Sequence, residues 1–98
     1  KDEVFAIGRE AIWNAFRHAE ATEIELDLVY TPGGLTLLVS DNGKGIPPDA
    51  LTRAENGHWG LVGMRERAAN IGATLEVGNR EGGGASLRLT LPRQYGTR

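Results

Sequence analysis

Residues 23–30, EIELDLVY, alternate strictly, and that alternation limits what this 98-residue chain can become. Side chains on a strand point to opposite faces with a period of two. Ile24, Leu26, Leu28 and Tyr30 share one face; Glu23, Glu25, Asp27 and Val29 share the other. The pattern predicts a half-buried strand with a mostly solvated outer face. Residues 86–91, SLRLTL, repeat it, with Leu87, Leu89 and Leu91 inward and Ser86, Arg88 and Thr90 outward, and Pro92 closes the run. Residues 35–40 and a segment carrying Leu75 and Val77 supply two further strands. The stretches 31–34 and 80–84, rich in glycine, are turns.

Two stretches follow a helical period instead. Over residues 2–19, Val4, Gly8, Ala11, Ile12, Ala15, Phe16 and Ala19 form one apolar stripe. Over 61–71, Leu61, Met64, Ala68 and Ile71 mark an inner face, and Gly72 is placed to cap the C-terminus. Between them, residues 41–60 hold no period. Pro47 and Pro48 bar a long helix, although 49–54 suit a helical turn. So long an irregular stretch in a small domain suggests a lid or binding loop. The order is helix, two strands, lid, helix, two strands. It predicts an α/β (α+β) fold: a two-layer sandwich of a mainly antiparallel mixed sheet packed on helices. One domain is expected over 1–98, with its core in 3–92 and a tail at 93–98.

Composition removes several function classes. With 11 basic and 13 acidic residues, net charge −2, no concentrated basic surface for nucleic acid is expected. The absence of cysteine excludes disulfides, thiolate catalysis and Cys-based zinc sites. No apolar run nears the ~18 residues needed to span a bilayer, so no direct membrane contact is expected. The chain opens on charged residues already in helical register and reads as a piece of something longer.

Three groups of residues carry candidate chemistry. Glu10, Asn14 and Arg17 fall within about 60° of one another on a helical wheel, roughly opposite the apolar stripe, with His18 at the margin. Such a face is solvated by default. It also aligns a carboxylate, an amide oxygen suited to Mg²⁺, and a guanidinium and imidazole suited to phosphate. Next, SDNGKGIP follows a strand abruptly. Asp-Asn-Gly is turn chemistry in its own right. Equally, Asp41 would accept from an exocyclic amine such as adenine N6, and Gly43 and Gly45 permit positive φ and close ligand approach. Last, Gly57, Gly60 and Gly63 surround a helix start, either a hinge or a phosphate-binding N-terminus. There is no GxxxxGK[ST], no GxGxxG in a strand–helix context and no HRD loop. His18 and His58 make no plausible metal pair. Trp13 suits the flank of the core, and Trp59 the lid.

Taken in order, REAIWNAFRHA, DNGKGIP, GHWGLVGMRERAANIGATLEV and GGGASLRLTLP resemble the catalytic ATP-binding domain of bacterial two-component sensor histidine kinases. That domain belongs to a superfamily shared with gyrase, a class of heat-shock chaperones and mismatch-repair ATPases. GMRER is similar to the nitrate-sensor and desaturase-sensor subgroup. The resemblance covers residues 3–92. It implies a Bergerat fold, here N-terminally truncated, with ATP and Mg²⁺ as cofactors. It implies Asn14 as the Mg²⁺ ligand and Glu10 as the catalytic acidic residue near the γ-phosphate. Arg17 and His18 would approach phosphates. Asp41 would bind adenine, on a floor shaped by Gly43, Lys44, Gly45 and Ile46. Gly60, Leu61, Gly63 and Met64 would form the second glycine box. The implied function is supply of the γ-phosphoryl group to a histidine on a separate dimerisation domain, and thence to a response regulator. The isolated domain should bind ATP but not phosphorylate itself efficiently. The implied location is cytoplasmic, as one domain of a membrane-anchored sensor.

Two features depart from the pattern. Ala85 follows Gly84 where the family often has threonine, which weakens the adenine network. The dimerisation helices that carry the phospho-accepting histidine are absent, as is the segment usually preceding the first helix, which implies an exposed apolar edge. Two alternatives keep the fold: a serine kinase of the anti-sigma-factor type, against which GMRER argues, and a non-catalytic nucleotide-binding regulatory module.

Overall fold

The computed structural model describes residues 2–17, 20–47 and 61–93. The elements are α1 (Asp2–Arg17), β1 (Ile24–Thr31), β2 (Gly34–Asp41), α2 (Leu61–Asn70), β3 (Thr74–Asn79) and β4 (Ala85–Pro92). The expected helical turn at 49–54, with His18, Ala19, Gly57, His58, Trp59, Gly60 and the tail beyond 93, lies outside the described residues.

The four strands form one sheet in the order β1-β2-β4-β3, and every neighbouring pair is antiparallel. Two apolar rows cross it: Leu26, Val39, Leu87 and Val77, and Leu28, Leu37, Leu89 and Leu75. Alternation puts both rows on the face that the helices cover. Leu37, Val39, Leu87 and Leu89 are buried there with Val4, Ile7 and Ala11 of α1 and Leu61, Met64 and Ala68 of α2. The two-layer sandwich is as expected.

α2 ends as its sequence implies. Gly72 has φ +73, Ala73 N donates to Ala68 O at 2.9 Å and Gly72 N to Ala69 O at 3.1 Å. Those two bonds make a Schellman cap, which glycine enters without a Cβ penalty.

The face of α1 differs from expectation. Ile12 and Phe16 are 37% and 68% exposed, while Ile7, outside the expected stripe, is fully buried. The buried set is Val4, Ile7, Gly8, Ala11, Asn14 and Ala15, turned by about 60° from the expected one at 100° per residue. Apolar residues run around most of this helix, so their bulk does not mark the inner face. The rotation carries Asn14 from the supposed solvent side into the core.

β1 is also corrected. It is an edge strand, not a half-buried one: Leu26, Leu28 and Tyr30 are 46%, 41% and 75% exposed. Its apolar face borders an open groove of about 370 Å³, flanked by Phe5, Arg9 and Ile12 of α1. Phe5, Ile12, Leu26 and Leu28 leave this side of the domain apolar and exposed.

Candidate functional site

Asp41 is the last residue of β2. It shares parity with Leu35, Leu37 and Val39, so the strand's own period turns its carboxylate toward the helices. It is 6% exposed. Burying a carboxylate is costly unless hydrogen bonds replace water, and the backbone supplies two. Gly43 N donates to Asp41 Oδ1 at 2.8 Å and Ala85 N at 3.3 Å. Both go to Oδ1; Oδ2 takes neither.

Above it on α1 lies Asn14, also 6% exposed. Asn14 and Asp41 line the same cavity, of about 30 Å³, with Ile46, Leu61, Met64 and Ala85. Two candidate residues from the first helix and the acid–glycine loop thus meet, and the second helix closes the space between them. Ser86, expected to point away, also borders this cavity.

The other candidates lie farther out. Burial falls along the polar stripe as the helix turns: Asn14 is buried, Glu10 half-buried, Arg17 exposed. Glu10 and Gly63 border a second depression, between the helices, beside Arg9 and Arg67. The Arg17 guanidinium lies 5.3 Å from the centroid of the exposed Trp13 ring, a cation–π pair on the outer surface. Lys44 is exposed and faces Glu20 at 3.7 Å. Among the described residues no three His, Cys, Asp or Glu side chains gather as a metal cage.

The glycines of the first loop divide their work differently from expectation. Gly45 takes φ +86. Gly43 does not have positive φ; its contribution is the N–H that it gives to Asp41. Gly84, at φ +93, is closer still: a Cβ there would run into the carbonyl oxygen of Asp41.

Sequence reasoning missed the residues that hold this loop. Asn79 bonds both backbone groups of Ile46, and Arg80 Nη1 donates to Asp41 O at 2.6 Å. On the loop's other side, Asn42 Oδ1 accepts from Thr22 N at 3.0 Å and Glu23 N at 2.9 Å. The available signal was Asn79 and Arg80 at a strand end before a glycine run, which reads as ordinary turn chemistry.

The chain is similar to several known proteins. The chain is 37% identical over 92 residues to the sensor histidine kinase LiaS of Bacillus subtilis, covering 94% of this chain and 25% of that protein. It is 41% identical over 83 residues to the nitrate/nitrite sensor protein NarQ of Escherichia coli K12, covering 84% of this chain and 14% of that one. It therefore spans a quarter or less of either relative. Among solved structures, the ATP binding domain of PrrB from Mycobacterium tuberculosis superposes with a TM-score of 0.76 at 30% identity, covering 93% of this chain and 67% of that one. The profile of the histidine kinase-, DNA gyrase B- and HSP90-like ATPases matches residues 1–95, and the chain belongs to that family.

Proposed function

We propose that this domain binds ATP with Mg²⁺ between Asp41 and Asn14. It then presents the γ-phosphoryl group to a histidine on a separate dimerisation domain of the same parent, from which a response regulator receives it. The observation that carries this reading is the shared cavity: an acid at a strand end and an amide on the helix above it face one space.

Each residue has a part. Backbone N–H groups hold Asp41 Oδ1, so Oδ2 accepts the 6-amino group of adenine. Ile46, Leu61 and Met64 offer apolar walls to the purine. The amide oxygen of Asn14 fits Mg²⁺, which takes few protein oxygens and completes its shell with phosphates and water. When bound, the ion neutralises triphosphate charge. Glu10, one turn before Asn14, orients the incoming nucleophile. Arg17 leaves Trp13 to meet phosphate, and His18, Gly60 and Gly63 complete the phosphate side. Catalysis is then mainly positioning and charge neutralisation. The acceptor histidine belongs to another domain, so the isolated domain binds nucleotide but scarcely phosphorylates itself.

The cavity holds about 30 Å³, roughly a tenth or less of an ordinary ligand pocket. Leu61 and Met64, from the start of α2, therefore withdraw as nucleotide enters. Among the described residues no helix is long and apolar enough to cross a membrane, and the proposed setting is the cytoplasmic part of an anchored bacterial sensor.

Calorimetric titration with ATP, with and without Mg²⁺, tests the proposal. Asp41→Ala should abolish detectable binding. Asn14→Ala should remove chiefly the Mg²⁺-dependent part. Wild-type affinity in the Asp41 variant would refute the adenine assignment.

A further inference from the structure

The β3–β4 hairpin touches the acid–glycine loop at both ends. At the far end, Asn79 Oδ1 accepts from Ile46 N at 2.7 Å, and Asn79 Nδ2 donates to Ile46 O at 2.9 Å. One side-chain amide thus satisfies both backbone groups of one loop residue, as a neighbouring strand would. At the near end, Arg80 Nη1 donates to Asp41 O at 2.6 Å, and Ala85 N donates to Asp41 Oδ1. The loop is shaped to accept this grip. A Cβ at Gly45 would stand 2.7 Å from Asn79 Oδ1, so glycine is required there by the clamp as well as by its φ of +86.

We infer that Asn79 is a positioning residue for purine recognition: by fixing Ile46 it holds the Asp41–Ile46 turn, and with it the Asp41 carboxylate, ready for a 6-amino group. This rests on the adenine assignment proposed for Asp41. The physical reason is preorganisation. A six-residue turn free at one end samples many conformations, and a ligand must pay that ordering cost on binding. Asn79 is itself exposed, so truncating it removes the two bonds without opening a core cavity.

The test compares ATP with purine riboside triphosphate, which lacks the 6-amino group, by titration against the whole chain. The wild type should prefer ATP. Asn79→Ala should weaken ATP about tenfold, the scale of losing two part-buried hydrogen bonds, and the analogue by less than about twofold. Asn79→Asp keeps an acceptor for Ile46 N and should recover part of the preference; it also carries the test if the alanine variant fails to fold. Thermal melts establish that each variant is folded. Equal weakening of both nucleotides, or unchanged ATP affinity, in a folded Asn79 variant would overturn the inference. Asp41→Ala separates the two ideas. If it binds ATP as the wild type does, or if the wild type shows no preference, the adenine assignment itself fails. If it loses ATP while Asn79→Ala keeps the full preference, only the clamp fails.

Discussion

The two hairpins of this domain have the same alternating chemistry and opposite fates. β1–β2 closes over two residues, and its outer strand leaves Leu26 and Leu28 in solvent. β3–β4 closes over residues 80–84, with positive φ at Gly82, Gly83 and Gly84, and its outer strand half-buries Leu75 and Val77 under the helices. The turns differ too. The first accepts a backbone bond from Arg93 at Gly33; the second is bonded into the candidate site through Arg80 and, just outside it, Asn79 and Ala85. Both outer strands are sheet edges, but that of the first hairpin is uncovered, whereas the second hairpin is covered and forms a wall of the site. Alternation fixes which side chains share a face, but not whether anything covers that face.

The largest effect that sharpens this contrast lies where the rows cross the central strands. Leu89 is 1% exposed and sits between Leu37 and Leu75. Leu89→Ala should destabilise the domain by about 2–5 kcal/mol, the usual range for a buried leucine leaving a cavity. The urea midpoint reads this directly. A loss no greater than for truncation at Leu28 would erase the distinction between centre and edge.

Next in size is a test within the second turn. Gly82 and Gly84 have nearly equal φ, +90 and +93, but a Cβ at Gly82 meets nothing within 4 Å, whereas one at Gly84 strikes Asp41. Gly82→Ala should cost only conformational strain, on the order of 1 kcal/mol. Gly84→Ala should cost more and also weaken nucleotide binding by displacing the acid. If both variants kept wild-type affinity, the second hairpin would be no part of the site.

What the sequence made legible follows from the range of each signal. Strand and helix periods are local, and so is the Gly72 cap; all were readable from neighbours along the chain. The inward aim of Asp41 was readable too, because it continues the parity of Leu37 and Val39. The phase of α1 was not. Phe5, Ile12, Trp13 and Phe16 add bulk on its outer side, so the wheel favours the wrong arc and makes Asn14 look solvated. Nor could local pattern reveal Asn79, whose partner Ile46 stands 33 positions away. Such a contact exists only once the hairpin has folded over the loop. The uncovered state of β1 is equally non-local, since EIELDLVY reads the same whether or not anything lies over it.

The smallest expected effect is at that strand. Leu28 pairs with buried Leu37 but is itself 41% exposed, at the wall of the open groove beside α1. Leu28→Thr introduces a β-branched residue suited to a strand and removes little buried surface. It should shift stability by less than about 1 kcal/mol, as exposed positions do. Binding of a hydrophobic dye should fall, because the variant makes the exposed patch less apolar. The contrast between the hairpins depends on this small number. A loss above about 2 kcal/mol, comparable to a core truncation, would mean that the groove is covered in solution. Repeating the unfolding curve at several protein concentrations identifies the cover: a midpoint that rises with concentration belongs to an associated state, and one that does not belongs to the chain itself.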